Sequence, residues 1–289
     1  MEWQCPVCTS SHSNKNRILL LSYPTGPLSF YHCSCGLHYN DYAVKGTIPQ
    51  VYNDSYYSHA RYTFELGQQE YVKHLVDFVE RSLPMLSFQN NTIRHLDIGC
   101  ATGDFVAWAV KQGWQTEGID LSPSAVSKGR KRSLPLLNTA LEALTENPSS
   151  YDIITLWDVL EHIPDTSKAL KIIHNLLKED GLLLIKTVTS ISLVERLARF
   201  LYKISFGKIQ GPIKRMYVRD HLYIYTEDLL RRYLLKEGWK VSLIEQSDTP
   251  PNALSTSFFM RLLLMLIFLF QKITKQSYEV FLVCRKNAC

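Results

Sequence analysis

The chain has no run of about 20 apolar residues, the length a helix needs to cross a bilayer. Its longest such run, Leu262–Phe270 with Phe258–Met260 ahead of Arg261, is too short for a membrane span. No secretory leader is expected either, since MEWQCPVC has neither a basic start nor an apolar stretch, so the seven cysteines are expected as reduced thiols in the cytoplasm. There is little excess charge: a formal +5 over 289 residues neither demands nor excludes an anionic partner. No internal repeat is visible. Nor is there a complete G-x-G-x-x-G, because Ala101 and Asp104 occupy the second and third glycine positions, where a carboxylate would repel the pyrophosphate of a dinucleotide.

The chain does contain enough apolar sequence, 46%, for one large α/β core plus a small appendage. Its centre is the stretch 94–122. Ile93–Ile98 reads as a buried strand, Gly99–Gly103 as a tight turn, and Asp104–Gln112 carries apolar residues at helical spacing. A second strand, Gln115–Ile119, runs into Asp120. Strand, glycine turn and helix followed by an acid at the next strand end is a nucleoside-binding layout. Glycines let the backbone approach the ligand, and the acid can accept hydrogen bonds from both hydroxyls of a ribose diol.

Asp97, two residues before Gly99, gives D-x-G-x-x-x-G, with an acid able to pair with a cation such as an amino group. Here the sequence resembles the class I S-adenosylmethionine (SAM)-dependent methyltransferases, whose first motif is D/E-x-G-x-G-x-G; Ala101 departs from it. The resemblance implies a SAM site at Asp97, Gly99, Cys100, Ala101, Gly103, Asp120 and Leu121, with Ala140 and Leu141 along the adenine. Tyr151–Trp157 is a β-rich apolar run that leads into Asp158-Val159-Leu160-Glu161-His162-Ile163, a segment similar to one that ubiquinone-type small-molecule methyltransferases carry after their fourth strand. Ligands of open parallel sheets bind beyond the carboxyl ends of the strands, so Trp157 to His162 is expected to face the crevice of Gly99 and Asp120. His162 reads either as a structural cap or as a base, and His221 is the second candidate.

The remaining elements follow from pattern. A helix is expected over Phe64–Leu83, another from Ser122-Pro123 to about Arg132, a short strand with a turn over Leu136–Leu144, a helix over Ser167–Leu177, and the strand Leu182–Val188 after a Glu179-Asp180-Gly181 turn. Between that strand and Thr226 lie Arg196, Arg199, Lys203, Lys208, Lys214, Arg215 and Arg219 against Glu195 and Asp220. Ser192–Phe206 is a basic amphipathic helix there, and three roles compete: substrate lid, surface for anionic lipid, or solvated helix packed on the core. Strands Lys240–Glu245 and Tyr278–Arg285 bracket an apolar insertion, 247–277, that could cover a hydrophobic face, dimerise or touch a membrane surface; burial is the default expectation.

At the N-terminus Cys5-Pro-Val-Cys8 is a C-x2-C knuckle, and His32-Cys33-Ser34-Cys35-Gly36 is a second, irregular one. Cys5, Cys8, Cys35 and either Cys33 or His32 would make a tetrahedral zinc site. The segment resembles the N-terminal zinc-binding part of some bacterial methyltransferases that act on sugars. Tyr52, Tyr56 and Tyr57 then form an aromatic cluster that either covers a nucleoside, Tyr57 being the candidate, or packs the two parts together.

The expectation is therefore a Rossmann-like, doubly wound, mostly parallel seven-stranded sheet, with a zinc-ribbon-like segment at 1–42 and a SAM-dependent methyltransferase domain at 43–289. It includes a basic lid at 189–221. The resemblance implies SAM and Zn2+ as cofactors and a small polar acceptor, a sugar or lipid-linked glycan precursor, methylated on oxygen or carbon. No N-P-P-[YFW] and no P-C pair follow the fourth strand, which argues against DNA base methylation. Two alternatives stay open: an rRNA or tRNA methyltransferase gripping RNA with the zinc segment and basic helix, and a non-catalytic SAM-fold binding module.

Overall fold

The computed structural model describes residues 3–47, 65–86, 92–145, 147–190, 192–248, 258–274 and 276–287. Strands β1 (Arg17–Tyr23), β2 (Gly26–His32) and β3 (His38–Asn40) open the chain, followed by the short helix α1 (Asp41–Lys45) and by α2 (Glu65–Ser82). The central α/β alternation is β4 (Arg94–Ile98), α3 (Asp104–Lys111), β5 (Gln115–Asp120), α4 (Pro123–Arg130), β6 (Leu136–Asn138), β7 (Tyr151–Trp157), α5 (Thr166–Leu176) and β8 (Leu177–Val188). The last part contains α6 (Leu193–Ile204), α7 (Gly211–Met216), β9 (Tyr223–Ile224), α8 (Glu227–Lys236), β10 (Trp239–Ser247), α9 (Phe258–Thr274) and β11 (Glu279–Lys286).

Seven strands form one sheet in the order β10-β11-β8-β7-β4-β5-β6. The five from β8 to β6 are parallel, and the β10–β11 hairpin closes the edge antiparallel. Parallel strands covered on both faces are apolar throughout, as in the buried run Leu182–Ile185 of β8. The two-residue alternation sorts side chains between the faces. Ile154, Leu156, Leu183 and Ile185 join α5 and α8 in one core, whereas Ile153, Trp157, Leu182 and Leu184 meet Leu75, Phe78 and Val79 of α2 in another.

The chain order reverses between β4 and β7, so the loops after β4, β5 and β7 open onto one crevice, the usual ligand site of such sheets. Ser122 caps α4 as expected, accepting from Ala125 N–H, and at the starts of α6 and α8 Ser192 accepts from Glu195 N–H and Thr226 from Leu229 N–H.

The N-terminal strands form a separate antiparallel sheet, β1-β2-β3-β9, whose fourth strand comes from far along the chain. Leu37 and Tyr39 share the main core with Leu222, Tyr225 and Leu229.

The third parallel strand ends at Asn138, and the expected turn is Leu141–Ala143, a turn of 3-10 helix. Two elements differ from expectation. Glu179-Asp180-Gly181 does not interrupt β8; Gly181 lies so close to Leu177 and to the Asp152 carbonyl that a side chain there would collide, so the strand bends without ending. The apolar insertion helix α9 is not buried as expected: Leu262, Leu266, Leu269 and Ile273 are exposed.

Candidate active site

The crevice begins at the turn after β4. Gly99, Ala101 and Gly103 all have positive φ, which coils the backbone tightly between β4 and α3. A Cβ on Gly99 would run into Val159 from the loop after β7, so glycine is what lets the two loops meet. Gly99 and Cys100 N–H both donate to the Ile119 carbonyl at 2.8 and 3.0 Å. Asp120 braces the same turn from the next strand, one carboxylate oxygen accepting from Ala101 N–H at 2.9 Å and the other from Ser122 N–H at 2.8 Å. Each oxygen of a carboxylate has two acceptor positions, so this bracing is compatible with further bonds to ligand hydroxyls.

Asp97 lies beneath the turn and is almost wholly buried, with Thr155 Oγ1 donating to it at 2.6 Å. Burial, together with the nearby Asp120 carboxylate, pushes its carboxyl up to about 7. No cation contacts Asp97 among the described residues, so an ammonium group arriving there would meet an acid whose ionised form lacks compensation.

Cys100 packs with Val126 and Leu136, while Leu121 is exposed just past Asp120. Ala140 and Leu141 sit at the start of the short 3-10 turn. Trp157 is drawn into the apolar layer under α2 and α3, its ring edge-on to Phe105 at 5.3 Å, and its indole N–H is buried without a partner among the described residues. Tyr57 lies outside the described residues.

On the acceptor side, residues Leu160–His162 form a single 3-10 turn after β7. His162 Nδ1 lies 2.8 Å from the Asp220 carbonyl. A carbonyl only accepts, so Nδ1 carries the proton and the basic lone pair belongs to Nε2. His221 meets it edge-on with ring centroids 4.9 Å apart. This junction is held by main chain, since Leu222 N–H donates to the Glu161 carbonyl at 2.9 Å and Asn40 Nδ2 donates to the carbonyls of Arg219 and His221 at 3.1 and 3.0 Å. The structure thus brings His162 and His221 together, although 58 residues separate His162 from Asp220.

The sequence reading did not single out Glu161. It is fully buried, takes a bond from Thr187 Oγ1 at 2.9 Å, and burial raises its carboxyl to about 7. Glu161, His162 and His221 present donor atoms within 4.8 Å of one another. Its place directly before His162 was the available signal. Lys186 was also missed because it reads as one polar residue in an apolar strand. It is completely buried at the end of β8 and bridges Asp158 at 2.7 Å and Glu279 at 3.1 Å. Tyr71 donates to the other Asp158 oxygen at 2.8 Å, which fixes Asp158 in its left-handed conformation, φ 55°.

In the N-terminal segment Cys5, Cys8, Cys33 and Cys35 converge, with all four Sγ atoms within 4.8 Å and the pairs Cys8–Cys33 and Cys5–Cys35 at 3.4 and 3.7 Å. Four thiolates at about 2.3 Å around a tetrahedral ion would lie roughly 3.8 Å apart, so the spacing fits zinc. Of the two alternatives for the fourth ligand, Cys33 joins the group. His32 lies on the other face of the strand from Tyr31 and Cys33, where its ring meets His38 at 5.1 Å.

Residues 67–243 match the family described as "Methyltransferase domain". Among curated proteins, a ubiquinone biosynthesis O-methyltransferase from Xanthomonas euvesicatoria pv. vesicatoria (strain 85-10) is 31% identical over 102 residues, covering 33% of this chain and 43% of that protein. One of the same name from Xylella fastidiosa (strain 9a5c) is 27% identical over 120 residues, covering 39% and 47%. The chain spans less than half the length of these relatives. The fold is similar to that of the PH0226 protein from Pyrococcus horikoshii OT3, with TM-score 0.53, 14% identity, and 81% and 99% of the two chains covered. It is also similar to an S-adenosylmethionine-dependent methyltransferase from Mesorhizobium loti, with TM-score 0.50, 17% identity, and 72% and 96% covered.

Proposed function

We propose that this chain, which belongs to the methyltransferase domain family and is a SAM-dependent methyltransferase, methylates a hydroxyl of a small polar acceptor, with a sugar or lipid-linked glycan precursor as the substrate class. The observation that supports the proposal is the pairing of His162 with His221, with His162 on the loop whose Val159 packs against Gly99 of the braced turn. When bound, SAM supplies a methyl group on a positively charged sulfur, ready for in-line transfer. The residues fit it: Asp120 would take the ribose hydroxyls, Asp97 would face the amino group, and Ala140 and Leu141 would flank the adenine. Cys100, Ala101, Leu121 and Trp157 would line the rest.

What is left to the chain is alignment, exclusion of water, and removal of one proton from the acceptor hydroxyl. His162 is the base in this scheme, since its protonated Nδ1 is committed to the Asp220 carbonyl and Nε2 accepts. His221 positions the acceptor. The weak sequence likeness to O-methyltransferases favours oxygen over carbon as the methylated atom. Cys5, Cys8, Cys33 and Cys35 would hold one structural zinc ion, in a segment, residues 1–42, that buttresses the methyltransferase domain, 43–289. None of the six described cysteines is in a disulfide, which suits a reducing, cytoplasmic setting.

The experiment is transfer of labelled methyl from SAM to a panel of sugar and lipid-linked hydroxyl acceptors. In His162→Gln, turnover should fall by roughly 10²–10⁴-fold while SAM still binds. Near-normal turnover in that variant would mean that alignment alone carries the reaction.

A further inference from the structure

Helix α6 turns an ion pair, Glu195 with Arg199, toward the rest of the molecule. An amphipathic helix ordinarily buries its apolar stripe, yet here the buried positions are Glu195 and Ala198, while Leu197, Phe200 and Ile204 face solvent. The cause is a polar anchor. Glu195 pairs with Arg199 and accepts from Tyr217 Oη at 2.8 Å, and Tyr217 in turn meets His38 Nδ1 at 2.8 Å. The turn after α6 continues the outward apolar face with Phe206, 94% exposed, and Ile209.

Helix α9 repeats the pattern. Leu262, Leu266, Leu269 and Ile273 recur at helical spacing and are exposed, Leu266 by 60% and Ile273 by 72%. The two helices are joined end to end. Val194 N–H at the start of α6 donates to Gln271 Oε1 near the end of α9 at 3.3 Å, and Leu193 N–H donates to the Gln276 carbonyl at 3.2 Å. Such a quantity of exposed leucine, isoleucine and phenylalanine on adjoining helices marks an interaction surface.

The charges around it identify the partner. Arg196, Lys203, Lys208 and Arg215 are exposed on the α6–α7 segment, and its only acids, Glu195 and Asp220, are both buried. The α9 sequence Phe258–Thr274 contains Arg261 and Lys272 and no acid. The outward face of α6 and its following turn therefore combines apolar side chains with cations alone. No helix among the described residues is long and apolar enough to cross a membrane, so the mode is lying on a bilayer and not spanning it.

We propose that α6, its following turn and α9 form a docking face for an anionic phospholipid surface, with the apolar side chains entering the acyl boundary and the cations meeting the headgroups. This goes beyond the methyltransferase reading, because neither helix contributes a residue to the SAM or histidine sites described above.

Co-sedimentation of the full chain with vesicles tests it. Binding to phosphatidylcholine vesicles containing phosphatidylglycerol should exceed binding to phosphatidylcholine alone and should weaken with added salt. Phe200→Glu and Leu266→Glu each place a charge at a solvent-exposed site, so folding and SAM binding should stay at wild-type level while vesicle affinity drops at least about tenfold. Lys203→Ala should lower affinity by about fivefold. Absence of binding to anionic vesicles at low salt, or equal binding by Phe200→Glu, overturns the proposal. So does a vesicle-independent dimer that Leu266→Glu dissociates, which would show a second copy to be the occupant.

Discussion

The Asn40 side-chain amide donates to the main-chain carbonyl of His221 at 3.0 Å, tying the last strand of the N-terminal segment to a histidine of the candidate active site. The same side chain also caps α1, with its oxygen accepting from Tyr42 and Ala43 N–H. Asn40→Ala would leave buried main-chain groups without partners, at a cost of about 1–3 kcal/mol. Turnover should fall and SAM affinity should hold, because the glycine turn is built from other residues. Thermal melts and calorimetry on one preparation check both halves of this expectation.

Asp97 makes a pH-dependent prediction. Its carboxyl is raised from 3.8 to about 7 in the folded chain, so between those values the native state keeps a proton that the unfolded state has lost. Stability contributed by this group therefore declines as pH rises from about 3.8 to about 7 and is level above. SAM affinity should run the other way, rising through about 7 as the carboxylate that meets the amino group ionises. Asp97→Asn should flatten both slopes, stabilise the apo protein well above neutral pH by on the order of 1–3 kcal/mol, and weaken SAM binding. Melts and titrations on either side of neutrality decide it, and a variant with unaltered slopes would disprove the assignment.

Asp120→Ala removes acceptors for the Ala101 and Ser122 amides as well as for the proposed ribose contacts. SAM affinity should drop by about 1.5–3 kcal/mol or more, the range for a charge-assisted bond. Calorimetry that returns wild-type affinity would remove the ribose from this position.

The cysteine group makes a prediction about metal. Protein purified without chelator should contain close to one zinc ion per chain, Cys33→Ser should lose it, and His32→Ala should keep it. Because Cys5 and Cys33 belong to the main core, chelation should lower the melting temperature of the whole protein and not just loosen an appendage. Metal analysis of the two variants distinguishes the ligand sets directly.

Much of this was legible in the sequence because it is local. The strand, turn and helix from Arg94 to Lys111 are written in apolar spacing and glycine, and the cap Ser122 is a single-residue signal. The orientation of α6 was not legible. Its periodicity says that it is amphipathic, but which face turns inward depends on Tyr217 and His38, distant in sequence, giving Glu195 a buried partner set. Lys186 stayed hidden for a similar reason, since only the folded sheet supplies Asp158 and Glu279. The choice of Cys33 over His32 also waited on β2, whose side chains alternate across the strand.

The pairing of β3 with β9 joins residues near the start of the chain to a strand about three-quarters of the way along, and the Asn40–His221 bond spans 181 positions. During synthesis the N-terminal sheet must wait, with its edge open, until Tyr223 and Ile224 leave the ribosome. Contacts of such long range form late and slowly. The cysteine segment and the histidine pair should therefore complete folding in a single late event. Amide exchange at Tyr39 and Tyr223 should then slow in the same kinetic phase.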